Sequence, residues 1–221
     1  MYLKKIPGIL QRYYPEYLWK KEGNENILYL TFDDGPTPSI TPWVLDQLAE
    51  YKAKATFFLI GKNVKDHPEI LHRILDEGHA VGNHTQHHMN GWKTPLKTYL
   101  KDALLAQQTI AEYSGFQTTL FRPPYGKINT SQARRISQSH QIVMMDVISG
   151  DFDTQRNGEE CCKTVVKNAK PGSIVLLHDS EKAWSRLESC LPHILESFQA
   201  KGYRFEALPQ QSHSKLVPTR E

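Results

Sequence analysis

Seven short apolar runs, separated by longer amphipathic stretches, occupy residues 27 to 208. "ILYLTF" (27–32) precedes "TPWVLDQLAEYK" (41–52), where Thr41 is a candidate N-cap and Pro42 suits the first helical position. "ATFFLIG" (55–61) precedes "PEILHRILDEG" (68–78); Ile70, Leu71, Ile74 and Leu75 share one helical face and Gly78 marks the stop. "HAVGNH" (79–84) precedes a helical pattern from about Pro95 to Tyr113. "TLFR" (119–122), "QIVMMDVIS" (141–149) and "SIVLLHD" (173–179) precede helical stretches at 129–140, 158–170 and 187–202, and "YRFEAL" (203–208) ends the series. Strands that alternate with helices form a parallel sheet with the helices packed outside. Runs that are apolar throughout fit strands covered on both faces. The expected fold class is α/β, a distorted parallel (β/α) barrel with about seven strands.

Composition narrows the function. With 27 basic and 24 acidic residues the formal charge is +3, and the bases are scattered, so neither nucleic acid nor a membrane surface is an expected partner. No apolar run reaches the roughly 18 residues of a membrane span. The start, "MYLKKIPGILQRYYPEYLWKK", is interrupted by Pro7, Gly8 and Arg12 and lacks a small-residue cleavage site; it reads as an extension rather than a secretory signal. Cys161, Cys162 and Cys190, an odd count with an adjacent pair, make no disulfide framework and fit a reducing, cytoplasmic compartment. The expected division is an extension at 1–26, one catalytic domain at 27–208 and a polar tail at 209–221.

In α/β barrels the working residues follow the C-terminal ends of the strands. Those positions here hold Asp33 and Asp34, His84 and His88, Arg122 with "PPYG", Asp151, and His178. His84 and His88, four apart, would share one face of a helical turn and reach one ion, leaving His87 as a spare. Two imidazoles and a carboxylate are a common donor set for a hydrolytic divalent metal. One acid of the Asp33–Asp34 pair would bind the ion, whose charge would keep its neighbour ionised, although "DDG" is also an ordinary strand-to-turn signal. Arg122 would pair with a rim carboxylate, and the stiff Pro123–Pro124 step could aim the Tyr125 amide at a substrate oxygen. His178 would act as a general acid oriented by Asp151.

Five stretches in this order resemble the five motifs of the polysaccharide deacetylases of carbohydrate esterase family four: "TFDDGP" (31–36), "HTQHH" (84–88), "RPPYG" (122–126), "DVISGDF" (146–152) and "VLLH" (175–178). The resemblance spans about residues 27 to 208. It implies a distorted parallel barrel and a metal-dependent N-deacetylase acting on an N-acetylglucosamine-type sugar or polysaccharide. It implies Asp33 as general base, restrained by Arg122, and Asp34, His84 and His88 as metal ligands. The Tyr125 amide would be the oxyanion donor, and His178 the acid tuned by Asp151. Tyr125, Phe152 and Leu176 are the expected substrate contacts, and Zn²⁺ the expected ion, with Co²⁺ or Ni²⁺ as alternatives. Three positions depart from the family pattern: Phe152 replaces a usual Trp, Ile148 stands where an acid is frequent, and Val175 replaces a Leu. None removes a catalytic group, and Phe152 bears on substrate identity.

Two other readings compete: a deacylase of a small non-sugar amide on the same scaffold, and a catalytically silent carbohydrate-binding protein. Aromatics along the cleft would favour sugar, and Tyr125, Phe152, Trp92 and Trp184 are the candidates. A silent protein would be expected to have lost Asp33 or His178, and both are present. The sequence does not fix the oligomeric state.

Overall fold

The computed structural model describes residues 2–23 and 25–210, so the expected polar tail lies almost wholly outside the described residues. Eight strands form one sheet: β1 (Ile27–Asp33), β2 (Ala55–Leu59), β3 (Ala80–Asn83), β4 (Leu120–Phe121), β5 (Gln141–Ile142), β6 (Val147–Ile148), β7 (Ile174–His178) and β8 (Arg204–Phe205). Their order is β5-β4-β3-β2-β1-β7-β6, with β8 beside the start of β1, and every strand pair is parallel. The distorted parallel barrel is therefore present. The single run expected at 141–149 is two strands, because its halves pair with different neighbours: β5 with β4, and β6 with β7. That divided stretch links the two ends of the curled sheet.

The break has a chemical cause. Asp146 turns its carboxylate inward, where it accepts from Lys5 Nζ at 2.6 Å, Ser173 Oγ at 2.5 Å and Gln11 Nε2 at 3.2 Å. A buried carboxylate needs such partners. Residues from the N-terminal segment fill the gap: Leu18 pairs with Val143 and Lys5 with Val147. This segment also carries a short helix, α1 (Gly8–Tyr13).

The remaining helices are α2 (Ile40–Glu50), α3 (Gly61–Asp66), α4 (Pro68–Asp76), α5 (Leu96–Ser114), α6 (Thr130–Ile136), α7 (Gly158–Asn168) and α8 (Trp184–Gln199). α4 starts at Pro68 and is followed by Gly78 at φ 78°, a left-handed position that suits glycine. Capping boxes start α6 (Asn129 with Gln132) and α7 (Asn157 with Glu160). α2 begins at Ile40, and Thr41 does not cap it; the Thr41 hydroxyl is bonded to Asp179 instead.

Strand periodicity of two sorts side chains between two environments. Leu28, Leu30 and Phe32 of β1 pack outward with Val44, Leu45, Leu48, Leu191 and Ile194 of the helices. Tyr29 joins Phe58, Leu120, Val143 and Ile174 in a separate interior cluster. Full burial stabilises each such aliphatic or aromatic side chain by about 1.5–3 kcal/mol. The alternation that turns Phe32 outward turns Thr31 and Asp33 inward, toward Arg122.

Candidate active site

Register sets the centre of the site. On β1, Asp33 lies level with His178 of β7. Neighbouring strands are about 4.8 Å apart, so an acid and an imidazole stand side by side at one rim. Behind Asp33 lies Arg122, fully buried, with its guanidinium 4.1 Å from the Phe58 ring centroid. Arg122 Nη1 donates to Asp33 Oδ1 and to Thr31 Oγ1, each at 2.7 Å, and Nη2 donates to Met144 O at 2.9 Å. The partnered Asp33 Oδ1 leaves Oδ2 facing the histidines, 3.7 Å from His84 Nε2.

Asp34 follows the strand with φ 82°, a left-handed turn that swings its side chain away from its neighbour's course. Asn63 of α3 fixes its carbonyl oxygen at 2.8 Å. Asp34 Oδ1 lies 3.1 Å from His88 Nε2 and 3.7 Å from His84 Nε2. One ligand atom from each of these three residues falls within 4.8 Å of the others. Asp34 Oδ1 is buried without a hydrogen-bond partner among the described residues. Orphaned buried acceptors are costly, and a cation beside this oxygen would satisfy it. The donor set fits a divalent metal.

The two histidines reach this point by a different route from the expected helical turn. Residues 84–88 form a loop with Thr85 at φ 66° and His88 at φ 54°. Asp102 of α5 pins the loop by accepting from the Gln86 and His87 amides, each at 3.0 Å, and Asn83 Oδ1 accepts from Thr85 N at 2.8 Å. These bonds replace the helical ones. His87, the spare, turns away and sets Nδ1 2.6 Å from Asp102 Oδ1.

His84 Nδ1 lies 2.7 Å from Arg122 O, which can only accept, so Nδ1 carries the proton and Nε2 offers a lone pair to the cluster. Burial pushes the His84 pKa down to about 4, so the ring is neutral at ordinary pH, as a ligand must be. Asp34 is held below the usual carboxylate range: burial acts against this and is outweighed by His88, His178 and His84.

His178 is the opposite case. Burial alone would lower its pKa, but Asp151 outweighs it, with help from Asp34 and Asp33, and holds it at about 9. Asp151, fully buried, accepts from His178 Nδ1 at 2.8 Å and from the His178 amide at 2.7 Å. Arg186 of α8 holds the Asp151 carbonyl at 2.5 Å.

These groups open on one cavity of about 640 Å³, lined among others by Asp33, Asp34, His84, His88, Tyr125, Phe152, Leu176 and His178. Arg122 and Asp151 stand behind it, out of solvent. Thus all ten expected site residues gather at one place, eight in the lining and two in support. Tyr125 has φ 61° in a turn closed by Gly126 N to Pro123 O and Lys127 N to Pro124 O, bonds in which its own N–H takes no part, and that N–H has no backbone partner among the described residues. Trp184 is not in the cleft; it packs edge-on against Trp43, with centroids 5.0 Å apart. Trp92, two-thirds exposed, lies outside the lining as well, beneath Lys127.

Sequence reasoning missed Asp179, next to His178. It is fully buried and accepts from Gly35 N at 3.1 Å and Thr41 Oγ1 at 2.5 Å, tying the turn after Asp34 to α2. A Cβ at Gly35 would come within 2.1 Å of its carboxylate, so this close approach requires glycine. Burial pushes the Asp179 pKa up to about 7, against the pull of Thr41. An acid directly after a rim histidine was the available signal.

The model of the polysaccharide deacetylase family matches residues 20–145. A peptidoglycan-N-acetylglucosamine deacetylase of Bacillus cereus is 39% identical over 189 residues, 85% of this chain and 88% of that protein. A chitooligosaccharide deacetylase of Azorhizobium caulinodans is 34% identical over 199 residues, 84% of this chain and 94% of that one. A crystal structure of a peptidoglycan N-acetylglucosamine deacetylase superposes with a TM-score of 0.83 at 32% identity, covering 88% of this chain and 91% of that one.

Proposed function

This chain belongs to the polysaccharide deacetylase family, a family of metal-dependent carbohydrate N-deacetylases, and from that premise we propose which residues do the chemistry and on what sugar. The proposed substrate is an N-acetylglucosamine unit within a cell-wall glycan or its fragments, which is what the Bacillus cereus relative is named for. The carrying observation is the level pairing of Asp33 and His178 beside the Asp34–His84–His88 cluster.

Asp34, His84 and His88 would hold a divalent cation, and two imidazole nitrogens with one carboxylate oxygen suit Zn²⁺, with Co²⁺ or Ni²⁺ as substitutes. When bound, such an ion polarises the amide carbonyl and acidifies a water. Asp33 Oδ2, facing the cluster while Arg122 holds Oδ1, accepts the proton of the attacking water. The Tyr125 N–H donates to the oxygen on which negative charge develops. His178, protonated through Asp151, gives its proton to the sugar nitrogen as the C–N bond breaks and acetate leaves. Leu176 and Phe152 supply apolar wall on the His178 side. Arg122 holds the carboxylate that takes a proton, and Asp151 keeps the imidazole that gives one protonated, the division of roles such a reaction needs.

Acetate release tests this. N-acetylglucosamine oligomers and peptidoglycan fragments are incubated with protein loaded with Zn²⁺, Co²⁺ or Ni²⁺, beside a chelated control. Metal-dependent release that falls at least ~100-fold in Asp33→Asn is expected. Release from a small non-sugar amide but from no sugar would move the reading to the other deacylase class.

A further inference from the structure

One wall of the cavity comes from the far N-terminus. Tyr2 lines it together with the catalytic groups. The Tyr2 ring packs on Phe152 with centroids 4.9 Å apart and planes at 51°. Phe152 in turn meets the His178 ring edge-on, at 5.4 Å and 72°. The three rings make a row that begins at the acid and runs out along one side of the cleft. Two ring contacts separate Tyr2 from His178, so Tyr2 stands beyond the acetamide being cleaved. A cavity of this size lies in the range that encloses ligands larger than one sugar ring.

Tyr2 is held in place by bonds on the segment that carries it. Behind it, Ile148 N donates to Lys4 O and Ile6 N donates to Asp146 O, each at 3.0 Å, as Lys5 pairs antiparallel with Val147. Lys5 Nζ bonds Asp146 Oδ2 at 2.6 Å and Asn168 O at 3.1 Å. Asp146 is 4% exposed, so the pair is shielded on its acidic side. The Tyr2 hydroxyl lies 3.5 Å from Arg156 Nη1, and Arg156 is itself fastened to Ser149 O and to Thr164 Oγ1. A ring held this firmly, with one face toward an open cleft, costs little entropy to use as a binding surface.

We propose that Tyr2 is a specificity-determining residue of the deacetylase. Carried on a segment pinned by Lys5 and Asp146, it stacks on the sugar unit next to the one that loses its acetyl group. The inference rests on the sugar-deacetylase reading above, and it makes the N-terminal segment a working part of the cleft.

The test uses the full chain, tagged only at its C-terminal end, on a monomer-to-pentamer series of N-acetylglucosamine. Tyr2→Ala is expected to raise KM about five- to tenfold from dimer to pentamer and to leave the monomer unchanged, with kcat within about twofold, the pattern of lost uniform binding. Tyr2→Phe should restore KM, since the ring is what matters. Lys5→Met, which frees the segment without touching the ring, should raise KM for the same substrates, dimer and longer. A Tyr2→Ala effect on kcat alone, or an equal effect at every chain length, would overturn the proposal. If the wild type acts on the series and the variants match it, the inference alone fails. If the wild type releases acetate from no sugar, the underlying reading falls and takes this one with it.

Discussion

His84 follows β3 and His178 ends β7 at the same rim, both largely buried, yet they are held in opposite states. His84 is driven down to about 4 and His178 up to about 9. What differs is the group facing Nδ1. His84 meets a backbone carbonyl, which fixes the tautomer but brings no charge, so desolvation wins. His178 meets a buried carboxylate that accepts two of its N–H groups, so the charged ring wins. A neutral imidazole is a ligand and a protonated one is an acid. In the proposed mechanism the barrel thus draws two functions from one residue type by changing the group that faces Nδ1.

The comparison breaks most completely if each histidine is deleted. His84→Ala should abolish metal retention, seen as loss of stoichiometric Zn²⁺ after dialysis, and should take activity with it. His178→Ala should keep the metal and lose about 10²–10⁴ in kcat, the usual worth of a positioned acid. Metal loss in both variants would mean that the two histidines do not divide the work as their environments indicate.

Asp151→Asn removes the charge from the acid side and keeps the shape. One of the two accepted N–H bonds must also go, because the amide nitrogen is a donor. The His178 pKa should fall from about 9. An acid must be protonated to act, so the alkaline limb of kcat/KM should move to lower pH, and activity at pH 8 should drop more than at pH 6. Stability follows the same sign. The folded pKa is above the free value of 6.5, so the stabilisation is full below about pH 6.5 and is lost as pH rises through about 9. The wild-type advantage in urea unfolding should therefore narrow between pH 6 and 9.

How much of this was legible follows from what each feature depends on. The apolar runs announced β1, β2, β3 and β7 because burial on both faces needs no distant partner. The residues at their ends were legible because a barrel collects strand ends at one rim. His84 and His88 do come together, but by another route: the four-residue spacing suggests a helical turn, whereas Asp102 bonds hold a loop. An acid on the apolar face of α5, among Tyr99, Ala103 and Ala106, was the overlooked sign. The split at 141–149 depends on Lys5 reaching Asp146 across 141 residues, which no local pattern encodes. An unexplained acid inside "QIVMMDVIS" was its only trace.

Asp179 sharpens the comparison with a third buried group, and the effect should be the smallest. It touches neither the water nor the amide, and it acts by holding the Gly35 amide and, through Thr41, the start of α2. Thr41 Oγ1 already accepts from Thr37 N at 2.8 Å, so its own proton must go to Asp179. In Asp179→Asn, Oδ1 can still accept from Gly35, but the amide group cannot accept from Thr41, and the turn that presents Asp34 should loosen. We expect a two- to tenfold fall in kcat/KM, with tighter metal dependence but the same limiting pH profile for His178. The wild-type carboxyl, raised to about 7 by burial, gives stability that is full below its free value of 3.8 and lost as pH rises through about 7. Asparagine cannot ionise, so the stability deficit of Asp179→Asn should shrink from pH 5 to pH 8. A deficit that grew with pH would mean that the folded protein prefers the carboxylate, and that the turn is held by charge rather than by a neutral hydrogen-bonded acid.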